Sequence, residues 1–253
     1  MLKKPFRILV EDLERLPYAN ILCYPRSNEK ETRRRISELR ELGITEIEFC
    51  GDKQVFNVPV LGKGCVGIVV CAFVNGERAA LKIRRDDTDK DRIYHEGVML
   101  KKANKVNVGP TLLATTKNFL LMRFINGDLF PEWLIRQEEK EPIETVLRDV
   151  LEKGWILDSA QIDHGELSYA SKHIIVDHEN QPFLVDFETA SINRRSKNVT
   201  SICQYFFMSG KVAEIISGKT GVRDKRSIVE MLKRYKRTKT RQDFKAVLSA
   251  CCL

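Results

Sequence analysis

The chain contains a glycine-rich segment of the pattern G-x-G-x-x-G-x-V, with its fixed positions at Gly62, Gly64, Gly67 and Val69. Glycine has no Cβ, so a loop built on it lets backbone N–H groups approach a charged ligand closely. Phosphate groups are the ligands that such loops bind in nucleotide-dependent proteins. The spacing therefore predicts a loop that covers the phosphates of a nucleotide.

Four charged residues further along the chain could complete a phosphoryl-transfer site. Lys82, in an apolar predicted strand, would place a positive charge on the α- and β-phosphates of ATP. Glu96, in the next predicted helix, would hold that lysine in place. Asp186 offers the oxygen ligands that Mg²⁺ prefers, and Glu166 offers a carboxylate for the acceptor hydroxyl.

A dinucleotide-binding fold has a similar glycine pattern, but the residues around this loop exclude it. In that fold the glycine loop opens a helix. Here the run 68–74 is apolar and β-branched, which predicts a strand. Asn75-Gly76 then predicts a tight hairpin turn before the strand of Lys82. The loop therefore lies between strands.

The surrounding pattern predicts the elements that position these residues. In the N-terminal segment, residues 21–24 read as a strand, 27–42 as a helix and 44–49 as a strand, which together make a β-α-β extension. Residues 55–83 read as a sheet and 92–103 as a helix. After strands at 112–114 and 118–125, the pattern becomes mostly helical.

Composition and charge restrict the class of protein. The chain has 253 residues, of which 43% are hydrophobic and 31% charged, as expected for one two-lobed soluble domain. It lacks an apolar run of 18 residues and an N-terminal apolar signal segment, so we expect a cytoplasmic protein without a membrane contact. Seven cysteines without a C-x-x-C pair argue against a zinc site.

The net charge is +8, and basic residues concentrate at 223–226 and 233–241. A basic stretch of this kind is either the solvated face of a helix or a contact surface for RNA, the ribosome or an acidic protein. Among these cations the only aromatic residue is Tyr235, so the stretch shows little sign of a base-stacking platform.

The chain resembles the small atypical kinases of the RIO type in the order of its motifs and in the residues at the glycine loop, Lys82 and Asp186. It resembles in particular the compact group predicted as archaeal Ser/Thr protein kinases. The resemblance covers residues 58–248. It implies an α+β class and a bilobal protein-kinase-like fold. The N-terminal β-α-β extension (1–57) would pack on a β-rich N-lobe (58–125), followed by a minimal helical C-lobe (126–253) with a basic C-terminal helix.

The resemblance also implies an activity, namely ATP-dependent transfer of the γ-phosphoryl group to a Ser or Thr hydroxyl of a protein substrate or of the protein itself. The implied cofactors are ATP and Mg²⁺ or Mn²⁺. Catalytic roles fall to Glu166, Lys82 and Glu96, and metal binding to Asp186 and His173. The predicted nucleotide-binding residues are Gly62, Lys63, Gly64, Gly67, Val69, Ala80, Lys82, Met122 and Phe124.

The chain departs from the kinase pattern at three positions. Glu166 stands where the catalytic loop has aspartate, His173 takes the place of the metal-binding asparagine, and Glu188 replaces the glycine of Asp-Phe-Gly. The longer Glu166 either still reaches the substrate as a base, with Asp163 nearby as a second candidate, or leaves an ATP-binding pseudokinase. The short C-lobe also allows a kinase that acts on a small molecule or on RNA.

Overall fold

The computed structural model describes residues 4–253, and the chain divides into two units. The N-terminal unit comprises the chain up to Lys101 together with Thr111–Phe124. The C-terminal unit comprises Lys102–Pro110 and Ile125–Leu253. The first is rich in strands and the second in helices, which confirms the predicted α+β class.

The N-terminal unit is built on strands. They are β1 (Phe6–Leu9), β2 (Ile44–Phe49), β3 (Lys53–Val55), β4 (Val58–Val60), β5 (Gly62–Lys63), β6 (Gly67–Val74), β7 (Glu77–Arg84), β8 (Leu112–Thr115) and β9 (Phe119–Arg123). Seven of them form an antiparallel sheet in the order β1-β2-β6-β7-β9-β8, with β5 paired to β6. A separate hairpin pairs β3 with β4. The helices are a 3-10 turn (Val10–Glu14), α1 (Tyr18–Leu22), α2 (Glu29–Glu41) and α3 (Asp91–Asn104).

The strand predicted at 21–24 is wrong, because these residues lie in and just after α1. A short apolar run that is buried does not distinguish a strand from one turn of helix. The first strand of the β-α-β extension is instead β1, which pairs with β2. Helix α2 and strand β2 form where they were predicted, and the Asn28 side chain caps α2 by accepting the Glu31 N–H.

Two buried arginines connect this extension to the central strands. The guanidinium of Arg35 on α2 donates to the carbonyl of Leu22 at 2.6 Å and to that of Arg84 on β7 at 2.7 Å. Arg84 in turn donates to Asn118 Oδ1 at 2.9 Å. Hydrogen bonds to buried carbonyls compensate the desolvation of these cations. They link β7 to α2 through Arg35 and to Asn118 through Arg84.

The hairpin of β6 and β7 is the longest ladder in the N-terminal unit, and it runs from the Gly67–Arg84 pair to the Val74–Glu77 pair. Its turn is the predicted Asn75-Gly76, and both residues have positive φ, +52° and +83°. This is the conformation that a two-residue hairpin turn requires. The hairpin fixes the register between the glycine loop and Lys82.

The C-terminal unit packs its helices around the helix α5 (Lys140–Ser159), whose buried positions follow a helical repeat. Its strands β10 (Gly127–Leu129), β11 (Ile174–Asp177) and β12 (Pro182–Leu184) form a small antiparallel sheet. Its helices are α4 (Phe130–Arg136), α5 (Lys140–Ser159), a 3-10 segment (Leu167–Lys172), α6 (Asn198–Cys203), a π-helical turn (Gln204–Met208), α7 (Lys211–Thr220), α8 (Lys225–Thr238) and α9 (Arg241–Ala250). Across residues 4–253, we find no helix with the length and apolarity needed to cross a membrane.

Candidate functional site

The glycine loop joins β5 to β6 as a tight backbone turn. The Gly64 N–H donates to the Gly67 carbonyl at 2.8 Å, and Gly62 pairs with Val69 across the two strands. A Cβ on Gly67 would lie 2.7 Å from the carbonyl oxygen of Ile83 on β7, so this position accepts only glycine without a backbone shift. Gly64 and Lys63, by contrast, are exposed.

Lys82 and Glu96 form a buried ion pair within the N-terminal unit. Lys82 Nζ lies 2.7 Å from Glu96 Oε2, and the two side chains are 7% and 3% exposed. The helix that carries Glu96 lies close to β8, since a Cβ on the next residue, Gly97, would be 2.4 Å from Thr115 Oγ1. The missing side chain at position 97 therefore allows α3 to bring Glu96 to the lysine.

Four of the predicted nucleotide-binding side chains share one face of the sheet. Val69 lies opposite Lys82, and Ala80 lies opposite Met122. Directly opposed residues of an antiparallel pair point to the same face, as do residues two apart on one strand. Phe124 follows β9, and its ring lies 5.5 Å from the guanidinium carbon of Arg78. The sheet thus brings together predicted nucleotide-binding side chains from three strands.

In the C-terminal unit, the segment Asp163–Glu166 is fixed by bonds on both sides. Asp163 exchanges two backbone hydrogen bonds with Ser191, of 2.9 and 2.8 Å. Its carboxylate, whose side chain is 1% exposed, binds the Arg194 guanidinium and the Lys197 N–H. The oxygens of Asp163, the second candidate base, thus hold the loop through these contacts.

His164 is fully buried, and its ring holds the strand end that precedes Asp186. Its Nε2 lies 3.0 Å from the Val185 carbonyl, which assigns the proton to this nitrogen. Burial, with a smaller effect from His173, lowers the pKa of His164 to about 4. The ring is therefore neutral at pH 7 and acts as a hydrogen-bond donor.

A buried network below this loop was not foreseen from the sequence. Asn198, at the start of α6, accepts the His164 N–H at 2.9 Å and donates to Asp158 at 2.9 Å and to the Ile162 carbonyl at 2.7 Å. Asp158 also accepts the Tyr235 hydroxyl at 2.9 Å. Since Asn198 is 34 residues from His164, no local pattern could reveal that it anchors the segment Asp163–Glu166.

Glu166, His173 and Asp186 form one cluster, with a donor atom of each within 4.8 Å of the others. His173 Nε2 lies 3.6 Å from Glu166 Oε2, and Nδ1 lies 3.8 Å from Asp186 Oδ2. Asp186 has a φ of +67°, a left-handed conformation that is uncommon for a non-glycine residue and concentrates at functional sites. The imidazole of His173 and the carboxylate of Asp186 are donors that a divalent metal ion accepts.

A basic cleft of about 500 Å³ lies between α8 and the segment before α6. Six cationic side chains line it, namely Arg195, Lys197, Lys233, Lys236, Arg237 and Lys239. Two of them make hydrogen bonds across the cleft to uncharged groups. Arg195 donates to the Lys236 carbonyl, and Lys239 Nζ donates to Ser196 Oγ. Tyr235, the one aromatic residue of the basic stretch, is buried and offers no stacking surface.

No family model matches the chain. It is similar to an uncharacterized protein of Methanocaldococcus jannaschii, with 25% identity over 118 residues. The matched segment covers 46% of this chain and 99% of that relative. This similarity assigns neither a family nor an activity, so a function has to be inferred from the side chains.

Proposed function

We propose that the protein is an ATP-dependent serine/threonine protein kinase with a kinase-like bilobal fold. The observation that carries the proposal is the buried pair of Lys82 and Glu96, on the sheet face shared with Val69, Ala80 and Met122. Burying an ammonium group is costly, and an ion pair repays that cost only in part. A lysine kept in this position beside a glycine loop is explained by a phosphate ligand.

Each unit supplies its own groups for the reaction. In the N-terminal unit the loop of Gly62, Gly64 and Gly67 would cover the phosphates, and Lys82 would bind the α- and β-phosphates. In the C-terminal unit Asp186 and His173 would hold the divalent metal. When bound, that metal neutralises the charge that develops on the phosphoryl group.

The acid–base step falls to Glu166. Its carboxylate accepts the proton of the Ser or Thr hydroxyl while that oxygen bonds to the γ-phosphorus and the bond to ADP breaks. Glutamate is one methylene longer than the usual aspartate. The adjacent His164 is fixed through Asn198 and Val185, so the backbone from which Glu166 projects is well defined. Phosphoryl transfer depends mainly on positioning and charge, which this arrangement provides.

Incubation with γ-labelled ATP, a generic basic acceptor protein and either Mg²⁺ or Mn²⁺ tests the proposal. We would compare the wild type with Asp186→Ala, Glu166→Gln and the control Glu179→Gln, which alters an exposed carboxylate of the same unit. Label on Ser or Thr that the first two substitutions abolish and the control keeps would support a kinase with Glu166 as its base.

Other results would replace this function with an alternative. Tight ATP binding that Lys82→Ala weakens, without any transfer, would identify a pseudokinase. Transfer that appears only with small-molecule or RNA acceptors would identify a kinase with a different substrate class. If ATP neither binds nor is consumed, the nucleotide assignment itself is wrong.

We also propose that the basic cleft binds the phosphate backbone of RNA. None of its six cationic side chains makes an ion pair among residues 4–253, and Asp158 is the single acidic residue among those that line the cleft, so the lining carries a net positive charge. Lys233, Lys236 and Arg237 lie at helical spacings of three and four and thus form one cationic row on α8. A row of charge without an aromatic platform suits backbone contacts rather than base recognition.

Fluorescence anisotropy with a labelled RNA duplex, titrated with salt, tests this cleft. Each of Lys233→Gln and Lys236→Gln should weaken binding and lower the slope of log K against log salt by about 1. The control Lys245→Gln removes an exposed charge from α9 and should leave the slope unchanged. Preference for an acidic peptide over RNA, or equal effects of all three substitutions, would contradict the proposal.

A further inference from the structure

His173 is a buried side chain with an unsatisfied ring nitrogen. The residue is 8% exposed, and its Nδ1 has no hydrogen-bond partner anywhere in residues 4–253. Buried polar atoms are nearly always paired, so an orphaned one calls for a ligand. The polar atom that faces this nitrogen is Asp186 Oδ2 at 3.8 Å, too far for a hydrogen bond.

The separation of these two atoms matches a metal ion between them. Metal bonds to imidazole nitrogen and to carboxylate oxygen are each about 2.1 Å, so one ion can bridge donors up to about 4.2 Å apart. The two residues are also held rigidly. The Val185 N–H donates to the His173 carbonyl at 3.0 Å, which fixes His173 beside the residue that precedes Asp186.

Glu166 occupies the other side of the ring, with Oε2 3.6 Å from Nε2. With the ring proton on Nε2, which faces this carboxylate, Nδ1 keeps its lone pair for a metal. Metal-binding histidines commonly have such a partner on the nitrogen that does not bind the metal. Glu166 therefore serves as a positioning residue for His173 in addition to its proposed role as base.

We propose that His173 Nδ1 and Asp186 bind a first-row transition-metal dication in preference to Mg²⁺. Mg²⁺ takes oxygen ligands almost exclusively, whereas an imidazole nitrogen suits transition metals. Histidine in place of the asparagine of the kinase pattern therefore changes which metal ions the site prefers, and the site still binds a metal. The inference rests on the proposed kinase function only for the metal's role, since binding can be measured without a nucleotide.

Mn²⁺ is the probe of choice, because the exposed thiols of Cys65 and Cys252 would also capture a softer ion. Electron paramagnetic resonance of the nucleotide-free protein should show one bound Mn²⁺ per chain, with a coupling to ¹⁴N. Mg²⁺ should displace it only at about a tenfold or greater excess. His173→Asn, which replaces the nitrogen by an amide oxygen, should remove the coupling and lower the Mn²⁺ affinity by about 10- to 100-fold.

His178→Asn is the matched control, since His178 is an exposed histidine of the same unit, and it should change neither quantity. The ¹⁴N coupling of the wild type tests the proposal even if a His173 variant folds poorly. Absence of bound Mn²⁺, absence of ¹⁴N coupling, or equal affinity for Mg²⁺ would overturn it, leaving His173 as a buried side chain between two carboxylates. Phosphoryl transfer with Mg²⁺ could still occur in that case, so the two proposals fail separately.

Discussion

Lys82 Nζ and Glu96 Oε2 lie 2.7 Å apart, and both side chains are almost completely buried. The lysine is on β7 and the glutamate on α3, so the contact ties the central sheet to the helix beside it. A pair of this kind contributes less to stability than its short distance suggests, because both charges lose their hydration. Folding stability alone therefore does not explain why this pair is buried, whereas the proposed phosphate ligand does.

Removing one member of this pair should therefore destabilise the protein strongly. We expect Glu96→Ala to cost about 3–5 kcal/mol, because it removes the countercharge of buried Lys82. The double variant Lys82→Met/Glu96→Leu should recover most of this stability while losing ATP binding. Urea denaturation followed by far-ultraviolet circular dichroism measures the first effect, and nucleotide titration the second.

The exposed pair of Arg15 and Asp12 provides the control for this experiment. Asp12→Ala should change the free energy of unfolding by about 1 kcal/mol or less, as is usual for surface ion pairs. Similar losses for Asp12→Ala and Glu96→Ala, or a double variant as unstable as Glu96→Ala, would show that burial of the charge is not the cause.

The glycine loop offers two substitutions with different expected effects. Gly67→Ala places a methyl group 2.7 Å from the Ile83 carbonyl, so it should destabilise the fold by about 1–3 kcal/mol. Gly64→Ala meets only an ordinary contact of 3.7 Å, so stability should change by less than about 0.5 kcal/mol. If the loop binds phosphate, Gly64→Ala should nevertheless weaken ATP binding; unchanged affinity would argue against that role.

Local patterns predicted the parts of the fold whose signals lie in neighbouring residues. The Asn75-Gly76 turn, strand β7 with Lys82 and helix α3 with Glu96 all carry such signals. The pattern does not predict the short β1, and it gives the wrong element at 21–24, since the burial of Ile21, Leu22 and Cys23 comes from the shared core of the N-terminal unit. The Asn198 anchor and the basic cleft depend on contacts across 34 or more residues, which no single-sequence pattern contains.

Asn198 should be essential for the geometry of the segment Asp163–Glu166. Asn198→Ala leaves the His164 N–H and the Ile162 carbonyl without their partner and removes one donor to Asp158. Each buried group left unpaired costs about 1–3 kcal/mol. We expect a loss of about 3 kcal/mol or more in urea denaturation. Asn193→Ala, at an exposed position five residues before Asn198, should leave the free energy of unfolding nearly unchanged. Comparable losses of stability for both variants would contradict the anchoring role.

His164 should make stability fall in mild acid. Its folded-state pKa of about 4 lies below the ordinary value of 6.5, because burial disfavours the charged ring. Between these values the unfolded chain binds more protons than the folded one, so stability is full above pH 6.5 and falls as pH drops towards 4, by up to about 1.4 kcal/mol per pH unit. His164→Gln does not titrate and should flatten this slope in urea denaturation from pH 7.5 to 4.5 with EDTA present. Other acidic groups contribute equally to both proteins, so identical slopes would show that His164 is not the group responsible.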